Sequence, residues 1–122
     1  MTISVVRLGG PRAKNEGLRI GTVRRPPRGV KKQDYAKLGY YDVWLPELAP
    51  SAPLIKAAHR DWKTFTRRYR REMREQAHLL QTLSALSRNA DFSVGCYCED
   101  ERRCHRSILR EILVEHGARV AV

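Results

Sequence analysis

Phe92-Ser93-Val94-Gly95-Cys96-Tyr97, then Cys98-Glu99-Asp100-Glu101-Arg102, then Arg103-Cys104-His105-Arg106-Ser107-Ile108-Leu109-Arg110-Glu111-Ile112-Leu113 passes from an apolar strand through a polar loop into a helix. The strand is read over Phe92–Tyr97 from its aromatic and β-branched residues. The helix is read from about Arg103 to His116. Ile108, Leu109, Ile112 and Leu113 make one apolar stripe, and Gly117 is a stop. Working outward, Ile3–Leu8 alternates and is β-branched, so it reads as a strand ended by Gly9, Gly10 and Pro11. Leu18–Val23 and Tyr40–Leu45 read as two more strands, and Val120–Val122 as a terminal one. Ser51 is placed to cap a helix with Pro53 in its first turn, running to about His59. Trp62, Phe65, Tyr69, Met73, Leu80 and Leu83 recur at helical spacing, which predicts one long helix from Asp61 to about Leu86. Strands alternating with helices predict a single α/β domain over 1–122, with a small, mostly parallel sheet flanked by helices.

At 122 residues the chain has room for one core, and 42% apolar residues are too many for disorder. Lys and Arg number 24 against 13 Asp and Glu, a formal charge of +11. That excess points to an anionic partner, most simply a nucleic acid or a nucleotide. No signal peptide is read and no apolar run approaches membrane length, so no membrane partner is expected. Three cysteines is an odd count. Reduced thiols and a cytoplasmic setting are the natural expectation. The sequence names no cofactor and no oligomeric state.

Two segments resemble a known family. One is Tyr41-Asp42-Val43-Trp44-Leu45-Pro46-Glu47-Leu48-Ala49-Pro50-Ser51. The other is Gly95-Cys96-Tyr97-Cys98-Glu99 through Cys104-His105-Arg106. Together they are similar to the domain of unknown function 488 family, which includes the YeaO-like proteins. The likeness covers nearly the whole chain. The basic loop Arg24–Gly29 also resembles that family's, although Val23 and Pro26 stand where members often carry Asp and Trp. The resemblance implies a small intracellular α/β protein and no established activity.

The segment Cys96 to Arg106 concentrates the chemistry. In open parallel sheets, ligands collect where strands end and helices begin. A helix start offers free N–H groups and partial positive charge, which favours anions and thiolates. Cys104 is therefore the candidate reactive thiol, with His105 as acid or base and Arg106 as anion holder. Cys104 as a helix cap and His105 bonded to backbone is the structural alternative. Cys96, Cys98 and Glu99 are expected to line the site. Tyr41 and Trp44 either line it or pack in the core. Glu99, Asp100 and Glu101 are expected to face outward. Zinc on Cys96, Cys98, Cys104 and His105 is a further alternative, against which stands the Cys-x-Cys spacing. Cys96 with Arg102 matches the spacing of a phosphatase loop, but the three intervening acids repel phosphate, so the match is read as coincidence.

Arg60, Lys63, Arg67, Arg70, Arg71 and Arg74 share one sector of the long helix. They read as a phosphate-backbone track or as a solvated face, and Arg24, Arg25, Arg28, Lys31 and Lys32 would extend the track. His59, His78 and His116 stand alone. Two functions follow. The chain binds or acts on a nucleic acid or nucleotide through Cys104, His105 and Arg106. Alternatively it is a non-catalytic binding module, with zinc on Cys96, Cys98, Cys104 and His105 as an option for its stabilisation.

Overall fold

The computed structural model describes residues 1–57 and 61–121. Four parallel strands lie in the order β1–β4–β2–β3: β1 is Ile3–Arg7, β2 Leu18–Gly21, β3 Val43–Trp44 and β4 Phe92–Cys96. Between β3 and β4 come α1 (Ala52–Ala57), α2 (Trp62–Arg74) and α3 (Ala77–Leu86). After β4 comes α4 (His105–Glu115). The fold is the small parallel α/β sheet with helices that the alternating pattern predicts. Among the described residues no helix is long and apolar enough to cross a membrane.

β4 is buried at every position because it is sandwiched between β1 and β2 and covered by helices. Its register sets Gly95 opposite Val6 on one side and Gly21 on the other. Neither glycine is replaceable. A Cβ on Gly95 would stand 2.5 Å from the Val6 carbonyl oxygen, and one on Gly21 would stand 2.3 Å from the Tyr41 ring.

The strand read over Tyr40–Leu45 shortens to Val43–Trp44, and two further predicted elements differ in the structure. The long helix is broken at Glu75–Gln76, where the backbone turns to φ −104° and ψ 23° at Gln76. No proline or glycine marks the break. It lets Leu80 and Leu83 join the core that Phe65, Tyr69 and Met73 build from α2. The terminal strand reduces to one parallel bridge, Val120 to Ile3, held by Ile3 N–H to Arg119 O and Ala121 N–H to Ile3 O. Val122, and the His59 end of the first helix, lie outside the described residues. The Ser51 cap is present: its Oγ accepts from the Leu54 amide at 3.4 Å and donates to Glu72, which ties α1 to α2.

The core has two parts. The larger gathers Ile3, Ile20, Phe92 and Val94 from the sheet under Leu54, Phe65, Tyr69, Leu109 and Leu113 from the helices. The smaller sits at the C-terminal ends of the strands and consists of Leu8, Val23, Tyr41, Cys96 and Cys104. This second cluster is the floor on which the candidate site is built.

Candidate functional site

A cleft of about 850 Å³ opens over the C-terminal ends of the strands. That volume suits a small molecule. Its floor includes Leu8, Val23, Cys96, Cys98 and His105. Tyr40 and Tyr97 form an aromatic corner, with ring centroids 6.2 Å apart. Its rim is basic: Arg7, Arg24, Arg25, Arg28 and Lys56. Arg24 is fixed by bonds to the carbonyls of Ala49 and Pro50, and Arg7 by the Tyr97 carbonyl and Glu99. Arg25, Arg28 and Lys56 are exposed, and no ion pair among the described residues includes them.

The loop between β4 and α4 brings sulfur and imidazole together at the floor. Cys104 is the N-cap of α4, and its Sγ accepts from the Arg106 amide at 3.5 Å. His105 Nε2 lies 2.7 Å from the Thr22 carbonyl oxygen. A carbonyl only accepts, so Nε2 carries the proton. Burial pushes the imidazolium down to about 4, so the ring is neutral at pH 7. Its free Nδ1 lone pair then faces Cys104 Sγ, 3.7 Å away. Cys96 Sγ, Cys104 Sγ and a His105 ring nitrogen lie within 4.8 Å of one another, so these three buried residues can hold a metal ion. Cys98 lies two residues beyond Cys96, exposed on the loop outside this group. The neighbouring Cys104 and Cys96 thiols, with help from His105 and Arg106, lower the Cys98 pKa. Cys96 is raised by its neighbouring thiols and by burial.

The predicted site residues divide. Cys96, Cys98, His105, Arg24 and Arg28 line the cleft. Cys104 does not: it is 2% exposed, beneath the floor. Cys96 draws the Cys104 pKa down, but the neighbouring Cys98 thiol and burial leave it above the ordinary thiol value. Of the two cysteines on the cleft, Cys98 is the exposed one. Cys104 is expected in the site, but the capping geometry turns its sulfur inward. Arg106 is likewise buried, below the cleft rather than in it.

Tyr41 and Trp44 do not line the cleft either. Tyr41 packs in the smaller core cluster, and Trp44 lies on the edge strand with its indole N–H donated to Val23 O at 2.7 Å. Glu99 and Asp100 are exposed and Glu101 pairs with Arg110. None of the three is on the cleft wall. Arg102 points to solvent, 90% exposed, while Cys96 is buried, so the phosphatase spacing brings nothing together.

On α2, Lys63, Arg67, Arg71 and Arg74 are exposed. Arg70 is not a free member of that stripe. It turns to α4 and pairs with Glu111 at 2.8 Å and Glu115 at 3.0 Å, partners on an element that one helical wheel cannot show. Arg60 lies outside the described residues. Sequence reasoning missed Arg7, Lys56, Tyr40 and Tyr97. Their signal is only positional, since each follows or faces a strand's C-terminal end.

A parallel α/β sheet with a basic cleft at its strand ends and a Cys-x-Cys…Cys-His-Arg floor defines the class. Residues 3–117 match the family DUF488-N3a, described as the active DUF488-N3 subclade, and the chain belongs to that family. It is similar to the uncharacterized protein YeaO of Escherichia coli (strain K12), 28% identical over 116 residues, which span 93% of this chain and 97% of that protein. No solved structure matches the chain.

Proposed function

We propose that the cleft binds a nucleotide, free or within a nucleic-acid strand, with its phosphate on Arg25, Arg28 and Lys56 and its base against Tyr40 and Tyr97. The observation that carries this reading is the pairing of exposed cations with an aromatic corner in one cleft. Cations without carboxylate partners serve a phosphate, and a base uses a π-face. Arg24 and Arg7, already tied to backbone carbonyls, add field rather than mobile donors. Cys98 and His105 lie under the bound ligand, at the depth where chemistry on it would occur. Lys63, Arg67, Arg71 and Arg74 would track the backbone of a longer strand.

Binding of a fluorescent mononucleotide and of a single-stranded oligonucleotide, each across a salt series, tests this. Arg25→Gln with Arg28→Gln and Lys56→Gln should abolish mononucleotide binding. Arg67→Gln with Arg71→Gln and Arg74→Gln should flatten the salt slope for the oligonucleotide alone. Mononucleotide affinity unchanged by the cleft variant would refute the reading.

A further inference from the structure

Arg106 is 3% exposed, and its Nε has no hydrogen-bond partner among the described residues. Its Nη2 donates to the Cys98 carbonyl at 2.6 Å. None of the ion pairs among the described residues includes it. A buried guanidinium without a countercharge is costly, so negative charge belongs beside it. The groups at hand are sulfurs. The Arg106 amide meets Cys104 Sγ, and its guanidinium lies against the Cys98 carbonyl.

We propose that Cys96, Cys98, Cys104 and His105 Nδ1 form a four-coordinate site for a zinc-class, thiophilic divalent cation, with Arg106 as the charge that balances it.

Three independent features agree. The first is size. Zinc bonds of about 2.3 Å to sulfur and about 2.0–2.1 Å to nitrogen, at a tetrahedral angle, set a sulfur–nitrogen edge of about 3.6 Å. Cys104 Sγ and His105 Nδ1 are 3.7 Å apart, and the three inner donors fit within 4.8 Å. The second is orientation. Metal-bound histidines donate their other ring N–H to a carbonyl or carboxylate, which fixes the tautomer. Thr22 O does this to Nε2. The third is charge. A divalent ion with three thiolates and a neutral imidazole carries −1, and Arg106 carries +1, so the cluster with its arginine is neutral. The tight Cys-x-Cys spacing is no obstacle, because the donors come from the end of β4, the loop and the cap of α4 rather than from a single knuckle.

Metal content and native alkylation of the protein purified without chelator test the site. One zinc per chain is expected, with all three cysteines protected from alkylation until a chelator is added. Cobalt substitution should give an intense thiolate-to-metal charge-transfer band. Cys98→Ser is the variant least able to disturb folding, since Cys98 is exposed. It should fold and release zinc more readily. Arg106→Gln keeps a donor for the Cys98 carbonyl and removes the charge, and should weaken zinc binding about 10- to 100-fold. All three thiols reacting at once in zinc-reconstituted protein would overturn the site. So would a Cys98 that alkylates freely while zinc stays bound.

Discussion

Among the described residues, two arginines near the strand ends are buried in opposite ways. Arg19 on β2 is 1% exposed and surrounded by acceptors. Its Nε and Nη2 meet Glu16 at 2.6 and 2.8 Å, and its remaining donors reach the carbonyls of Gly10, Pro11 and Gly39. Arg106 on α4 has one carbonyl, an unpartnered Nε and no carboxylate. The first is a structural tie that gathers the loops after β1 and before β3. The second is a charge left for something that sulfur, or an ion held by sulfur, supplies. The comparison teaches that burial of a cation alone does not mark a site. Whether the surrounding chain completes it does.

The largest expected effect breaks the complete one. Arg19→Met leaves Glu16 buried without its cation and takes the guanidinium donors from the carbonyls of Gly10 and Pro11, while Gly39 keeps the Gly9 amide. It should lower stability by about 3–5 kcal/mol in urea or thermal unfolding. Gly17→Ala, in the turn that presents Glu16, forces a side chain onto φ +76° with its Cβ 2.0 Å from the Asp91 carbonyl oxygen. A loss of at least about 1–3 kcal/mol should appear in the same assay.

Arg106→Met sharpens the contrast, because it orphans no carboxylate. Its stability loss should stay near about 1.5–3 kcal/mol, the scale of one charge-assisted hydrogen bond. A loss as large as that of Arg19→Met would mean that Arg106 is a structural tie as well.

Acid gives a further separation. Burial alone would raise Glu16, but hydrogen bonds from Arg19, Ser93 and the Ala13 amide outweigh it and hold its pKa below the usual carboxylate value. Asp42 is lowered too, chiefly by Arg12 and also by the Arg19 amide. Carboxylates depressed in the fold contribute stability that is complete above their unfolded values of about 4 and is lost as pH falls through the folded ones. Unfolding free energy should therefore fall below about pH 4, and less steeply in Arg19→Met. The smallest effect belongs to Arg70→Ala, whose half-exposed pairs with Glu111 and Glu115 should cost about 0.2–1 kcal/mol, less at high salt.

Local patterns were legible at β1, β2, β4 and α4, where apolar residues repeat at strand or helix spacing over several positions. The Cys-His-Arg cluster was legible as a group because its members are close in the chain. Which thiol faces the cleft was not. A cysteine at a helix cap can point to solvent or to the sheet, and packing against Leu8, Val23 and Tyr41 decides that Cys104 turns inward. The break at Glu75–Gln76 was invisible for a like reason. Its residues tolerate a helix, and only the need for α3 to place Leu80 and Leu83 in the core bends the chain there.

The sequence by itself determined the class of fold, the basic charge and the family, since these rest on periodicity, counts and residues adjacent in the chain. The tertiary structure alone decided which cations are free. Arg70 is claimed by two glutamates across a helix interface and Arg19 by Glu16 in the turn ahead of its own strand, while Arg25, Arg28 and Lys56 converge on one cleft. Charge pairing acts over a few ångströms through space, and a one-dimensional chain does not record which distant side chains will come within that range.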